Sequence, residues 1–158
     1  MTLQRTTQLP ISVGSAQKRD VRAQFAALCY QVVKDEPHVL LITSRETGRW
    51  VLPKGWPMDG MTPAQAAAQE AWEEAGVEGR AFDFVLGIYS YAKVIDADTT
   101  VPCVVTAFPV KVKRLADSFP EQEERKRKWF PLKKAAARVD EAELSQIINK
   151  FDPRRLRW

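Results

Sequence analysis

The chain has 158 residues, 45% of them hydrophobic, a length that suits one domain able to bury roughly 68–70% of its unfolded surface and excludes both a disulfide-stapled miniprotein and a disordered tail. Lys and Arg number 24 against 20 Asp and Glu, a net charge of +4 that invites a nucleic-acid reading. The charge is uneven, because residues 1–22 and 150–158 each carry +3 and leave the body, 23–149, at −2, so nucleic acid stays only as a lower-ranked partner.

Residues 1–20 mix Thr, Gln, Ser and Gly with little periodicity and read as a flexible arm without the apolar centre of a signal peptide. One domain is expected over 21–152, followed by a basic tail at 153–158. Gln24–Val33 reads as a buried strand and His38–Thr43 as its antiparallel partner, with Asp35, Glu36 and Pro37 turning between them. Trp50–Leu52 is a short strand that Pro53 ends, and Lys54–Met61 is a loop holding two glycines.

The next element is a helix with both ends specified. Thr62 suits the N-cap, Pro63 the first helical position, Gln65 completes a Thr-x-x-Gln capping box, and Gly76 closes the C-terminus in a left-handed conformation. Phe82–Val94 and Thr100–Val112 read as strands joined by an Asp96-Ala97-Asp98 turn, with Pro102 and Pro109 confined to edges or bulges. A short strand around Trp129 and Phe130 precedes a last helix, capped by Asp140 with Glu143 three residues on and striped by Leu144, Ile147, Ile148 and Phe151. No stretch approaches the ~20 apolar residues that span a bilayer, so no membrane partner is expected. Cys29 and Cys103 fall inside apolar strand runs, where a free thiol behaves as a small hydrophobe, and they point to a reducing compartment, the cytoplasm.

Chemistry concentrates on the Thr62 helix. Glu70, Glu73 and Glu74 stand at i, i+3 and i+4, so three carboxylates share one face. A solvated acidic face accounts for such spacing by itself. The preceding Leu52-Pro53-Lys54-Gly55 loop adds a backbone able to approach a phosphate and a lysine point charge for it.

Here the residues resemble the Nudix hydrolases, whose box reads Gly, any five, Glu, any seven, Arg-Glu-aliphatic, any one, Glu-Glu, any one, Gly-aliphatic. Gly55, Glu70, Glu73, Glu74, Gly76 and Val77 fall in register. Met61 stands where the box has its first Glu, Gln69 where it has Arg, and Ala71 is small for the aliphatic slot. The Glu and Arg are supporting residues in the family, so losing both leaves no orphan charge. The resemblance implies a Nudix-type α/β/α sandwich, of α/β class, with a mixed sheet and the carboxylate helix following a phosphate loop. It also implies Glu70, Glu73 and Glu74 as metal ligands and catalytic groups, helped by the Gly55 carbonyl. Hard oxygen ligands suit Mg2+, or Mn2+, better than zinc.

Residues 44–53, Gly87-Ile88-Tyr89 and residues 125–130 are similar to the diphosphoinositol polyphosphate phosphohydrolase branch, whereas Leu-Pro-Lys-Gly is similar to diadenosine polyphosphate hydrolases. The implied activity is magnesium-dependent cleavage of a phosphoanhydride in a densely phosphorylated small molecule, a diphosphoinositol polyphosphate or a dinucleoside polyphosphate. Two alternatives stand beside it: a non-catalytic polyphosphate-binding module, and a pyrophosphohydrolase of RNA 5′ ends.

Substrate cations are sought at Lys54, Arg45, Arg49, Arg125 and Arg127. Arg45 and Arg49 share the loop before the box and suit bidentate phosphate capture, or are plain surface arginines. In a strand, residues 125–128 alternate faces, which selects Arg125 and Arg127. Glu121, Glu123 and Glu124 supply a further ligand or base, or form a solvated loop. Tyr89 and Tyr91 stack a base or belong to the core, Trp50 and Trp129 pack, and lone His38 has no assigned role. Both a monomer and a homodimer are compatible with the sequence.

Overall fold

Successive side chains of the first strand face opposite sides of one sheet, and helices cover both sides. A computed structural model describes residues 22–156; the arm expected over 1–20 lies outside the described residues. The strands are β1 (Ala23–Val33), β2 (Glu36–Thr43), β3 (Trp50–Val51), β4 (Lys54–Gly55), β5 (Val77–Ala81), β6 (Gly87–Asp96), β7 (Thr99–Leu115) and β8 (Arg127–Pro131). The helices are α1 (Pro63–Ala75), α2 (Leu132–Arg138) and α3 (Ala142–Lys150), with a 3-10 turn at Pro153–Arg155. The sheet runs β3-β2-β1-β7-β5, with β8 beside β2, β4 beside β1 and β6 beside β7. It is mixed, because β1 and β7 are parallel while the other pairs are antiparallel.

On one face Phe25, Ala27, Cys29, Leu40 and Ile42 meet the alanines of α1; on the other Ala26, Leu28, Tyr30, Val39 and Leu41 meet α2 and α3. This period-2 partition builds the expected α/β/α sandwich. Both cysteines are free and buried, as expected of small hydrophobes. No described helix is long and apolar enough to cross a membrane.

Several boundaries differ from expectation, each for a physical reason. The first turn is centred on Lys34 and Asp35, both with positive φ (52° and 65°), and Val33 pairs with Glu36, so a two-residue hairpin turn replaces the three-residue one. The strand expected over Phe82–Val94 begins only at Gly87, as β6; Phe82–Leu86 is irregular, and the separate strand β5 precedes it. Strand β7 causes this: β6 pairs with it up to Ala107 and β5 from Val110 onward, so Pro109, which lacks an N–H, lies where the neighbour changes. Helix α3 starts at Ala142 without a side-chain cap, because Asp140 bonds Arg49 instead (2.9 Å). The packed body also continues past residue 152, since Leu156 is buried in the core beside Phe151.

Candidate active site

Helix α1 forms with the expected chemistry at both ends. Gln65 N donates to Thr62 Oγ1 (3.2 Å), Thr62 N donates back to Gln65 Oε1 (2.9 Å), and Gly76 sits at φ 66°, ψ 28°. Ala64, Ala66, Ala67, Ala71 and Ala75 are buried, so the helix lies close to the sheet and turns its three glutamates to the pocket edge. Strand β4 approaches from the other side, fixed by the pairing of Gly55 with Phe25 and of Lys54 with Ala26. A Cβ at Gly55 would come within 2.2 Å of the Glu70 carboxyl group. Lys54 N donates to Glu74 Oε1 (3.3 Å).

The end of α1 draws in a third segment. Its last carbonyls would be orphans, and the segment after β7 satisfies them: Glu121 N donates to Glu73 O (3.0 Å) and Ala116 N to Gly76 O (2.8 Å), while Arg127 Nη1 donates to Ala75 O (2.7 Å). Glu121 and Arg125 thereby reach the carboxylates. Burial pushes the Glu70 carboxyl well above the usual range, and a hydrogen bond to Glu74 adds to this. Glu74, 7% exposed, is also raised by burial, with Arg125 opposing. Burial lowers Lys54, with Glu74 opposing; its Nζ lies 4.9 Å from the Tyr91 ring centroid.

Glu70, Glu73, Glu74 and Glu121 line one pocket of about 250 Å³ together with Gly55, Lys54, Arg45 and Arg125. Lys54 and Tyr91 also border an adjoining pocket of about 70 Å³ that Arg49 and Glu141 line. Arg49 therefore stands one pocket away, tied to Asp140 (2.9 Å) and Glu141 (3.7 Å). Arg127 is corrected outright: its guanidinium caps α1, bonds Ala116 O (2.8 Å) and lies 4.8 Å from the Phe119 ring centroid. Residues 125 and 127 are both half-buried, but only Arg127 lies in β8, and their side chains reach different destinations. Arg125 reaches the pocket with its guanidinium already engaged by Glu121, Glu74 and the Thr43 carbonyl.

Of the second acidic group, Glu121 lines the pocket, while Glu123 and Glu124 are exposed. Tyr89 is core at 2% exposure and Tyr91 is at the pocket. Lys93, unmarked in the sequence reading, lines both pockets; its place two residues beyond Tyr91 on the same strand face was the available signal. Met61 packs beside the α1 alanines, and Gln69 Nε2 donates to Glu73 Oε1 (3.3 Å), so neither position leaves an unpaired charge.

Among the described residues, no three His, Cys, Asp or Glu side chains converge closely enough to hold a metal ion as they stand. The donor chemistry nevertheless fits a hard divalent cation: the pocket is lined by five carboxylates, Glu46 included, and by no Cys or His. Ligation needs deprotonated carboxylates, so a cation bound here would oppose the rise that burial and Glu74 impose on Glu70.

A mixed sheet with a carboxylate helix docked on a glycine-containing loop defines a recognisable class. A model of the NUDIX domain matches residues 22–151, and the chain belongs to that family. Nudix hydrolase 13, mitochondrial, of Arabidopsis thaliana is 33% identical over 123 residues, covering 67% of this chain and 61% of that protein. Diphosphoinositol polyphosphate phosphohydrolase 3-alpha of Mus musculus is 30% identical over 112 residues, covering 70% of this chain and 64% of that protein. The chain thus spans less than two thirds of either relative. A structure of a C. elegans Ap4A hydrolase binary complex superposes with a TM-score of 0.64 at 23% identity, over 83% of this chain and 95% of that one, a likeness of fold.

Proposed function

We propose that the protein is a divalent-metal-dependent pyrophosphohydrolase that cleaves a phosphoanhydride bond in a densely phosphorylated small molecule, a diphosphoinositol polyphosphate or a dinucleoside polyphosphate. The observation that carries this reading is the joining, in one pocket, of Glu70, Glu73, Glu74 and Glu121 with Lys54, Lys93 and Arg45. Anionic and cationic groups side by side match a cation and a polyphosphate bound together. The names of the Mus musculus diphosphoinositol polyphosphate phosphohydrolase and of the C. elegans Ap4A hydrolase support the substrate classes.

In this reading Glu70, Glu73, Glu74 and the Gly55 carbonyl hold Mg2+ or Mn2+, which when bound offsets charge on the phosphate under attack. Lys54 and Arg45 bind phosphate oxygens, and Arg49 meets the substrate at the adjoining pocket once it leaves Asp140. A water attacks phosphorus in line, its proton passes to a pocket carboxylate, and the departing phosphate takes the electrons of the broken P–O bond. The unpaired thiols support a reducing compartment, and the cytoplasm remains the reading for location, although the Arabidopsis relative is named as mitochondrial.

The test is a phosphate-release screen of purified protein with Mg2+ against inositol pyrophosphates, dinucleoside polyphosphates, nucleoside diphosphate sugars and capped RNA. Turnover of one of the first two classes supports the proposal. Tight binding without turnover supports the polyphosphate-binding module, and selective turnover of capped RNA supports the RNA reading.

A further inference from the structure

Helix α1 contains no Lys or Arg, and its three glutamates lie toward its C-terminal end, where the helix dipole is itself negative. The charge that balances them must come from elsewhere in the fold. Lys54 directs its ammonium over the Tyr91 ring. Arg125 is held at all three guanidinium nitrogens: Nε is 3.0 Å from Glu121 Oε1, Nη1 donates to Thr43 O (3.1 Å) and Nη2 is 3.8 Å from Glu74 Oε2, with side chains only 10% and 9% exposed. Opposite charges this close and this sheltered from water interact strongly.

We propose that Arg125 is the resident counter-ion of the carboxylate cluster and competes with a divalent cation for Glu74. The inference rests on reading the cluster as a divalent-cation site. Arg125 and a cation both draw on the Glu74 carboxylate, and two positive charges on one carboxylate repel, so each weakens the other by the same factor. Removing the guanidinium therefore tightens cation binding, whereas a residue that merely shaped the pocket would weaken binding when removed. Arg125 is a positioning residue in this account, engaged with protein groups and not with substrate phosphate.

The experiment is calorimetric titration of Mn2+ into wild type, Arg125→Gln and Arg125→Lys, paired with melting curves in chelator and in saturating Mn2+. Arg125→Gln is expected to bind Mn2+ about 5-fold tighter or more, to melt lower than wild type in chelator, and to recover that loss in Mn2+. Arg125→Lys keeps the charge and is expected to return Mn2+ affinity toward wild type, which separates loss of charge from misfolding. Equal or weaker Mn2+ binding by a folded Arg125→Gln overturns the competition and leaves the cation-site reading intact. Failure of all three proteins to bind Mn2+ overturns that reading, and the competition with it.

Discussion

Gly55 and Glu70 occupy the same space to within one methyl group: a Cβ on Gly55 would stand 2.2 Å from both Cδ and Oε1 of Glu70. Both partners are fixed from outside the contact. Gly55 is paired with Phe25 on β1, and the register of α1 is set by its capped ends. The requirement for glycine here comes from close approach of a side chain.

Gly55→Ala is therefore expected to displace Glu70 or the loop. Overpacking of this kind costs about 1–3 kcal/mol, while an ångström of misplacement at a reacting centre costs about 10²-fold in rate. Activity should fall far more than stability, checked by kcat alongside melting temperature.

Metal-free stability should depend on pH through Glu70. Burial and Glu74 raise its folded pKa from an ordinary 4.5 to about 9, so the folded chain holds a proton that the unfolded chain has released between those values. Glu70's own contribution to stability is then fullest below about 4.5 and declines as pH rises toward about 9. In chelator the melting temperature should drop by roughly 5 °C or more across that range. Glu70→Gln should flatten the slope.

Arg127→Ala should behave as a structural lesion. It removes the bonds to the Ala75 and Ala116 carbonyls, with an expected loss of about 2 kcal/mol and a melting temperature lower by roughly 4–8 °C. The KM for substrate should stay near wild type, whereas a phosphate clamp would raise it.

Thr62→Ala removes the side-chain acceptor of the capping box and should cost about 1 kcal/mol. The melting temperature is the readout, with activity retained at assay temperature.

Local chemistry is what made α1 readable. Thr62, Pro63, Gln65 and Gly76 act within one turn of the helix ends, and Glu70, Glu73 and Glu74 follow from helical spacing alone. What escaped the sequence depends on distant partners. Arg127 meets Ala75 across 52 positions, and Asp140 leaves α3 for Arg49 across 91. Glu121 looks like part of a solvated loop until its N–H is seen on the Glu73 carbonyl. The division into β5 and β6 follows from how β7 changes neighbours at Pro109. Helix α2 is seven residues long, too short to announce itself by periodicity.

Glu74→Gln is the decisive variant for the proposal that the carboxylate face of α1 performs phosphoanhydride cleavage. Wild type and variant should be compared for Mg2+-dependent phosphate release from diphosphoinositol polyphosphates and dinucleoside polyphosphates, with folding checked by circular dichroism. Wild type should turn over and the folded variant should lose at least about 10²-fold in rate, since metal charge stabilisation is worth several kcal/mol. Equal release by the two proteins would contradict the proposal.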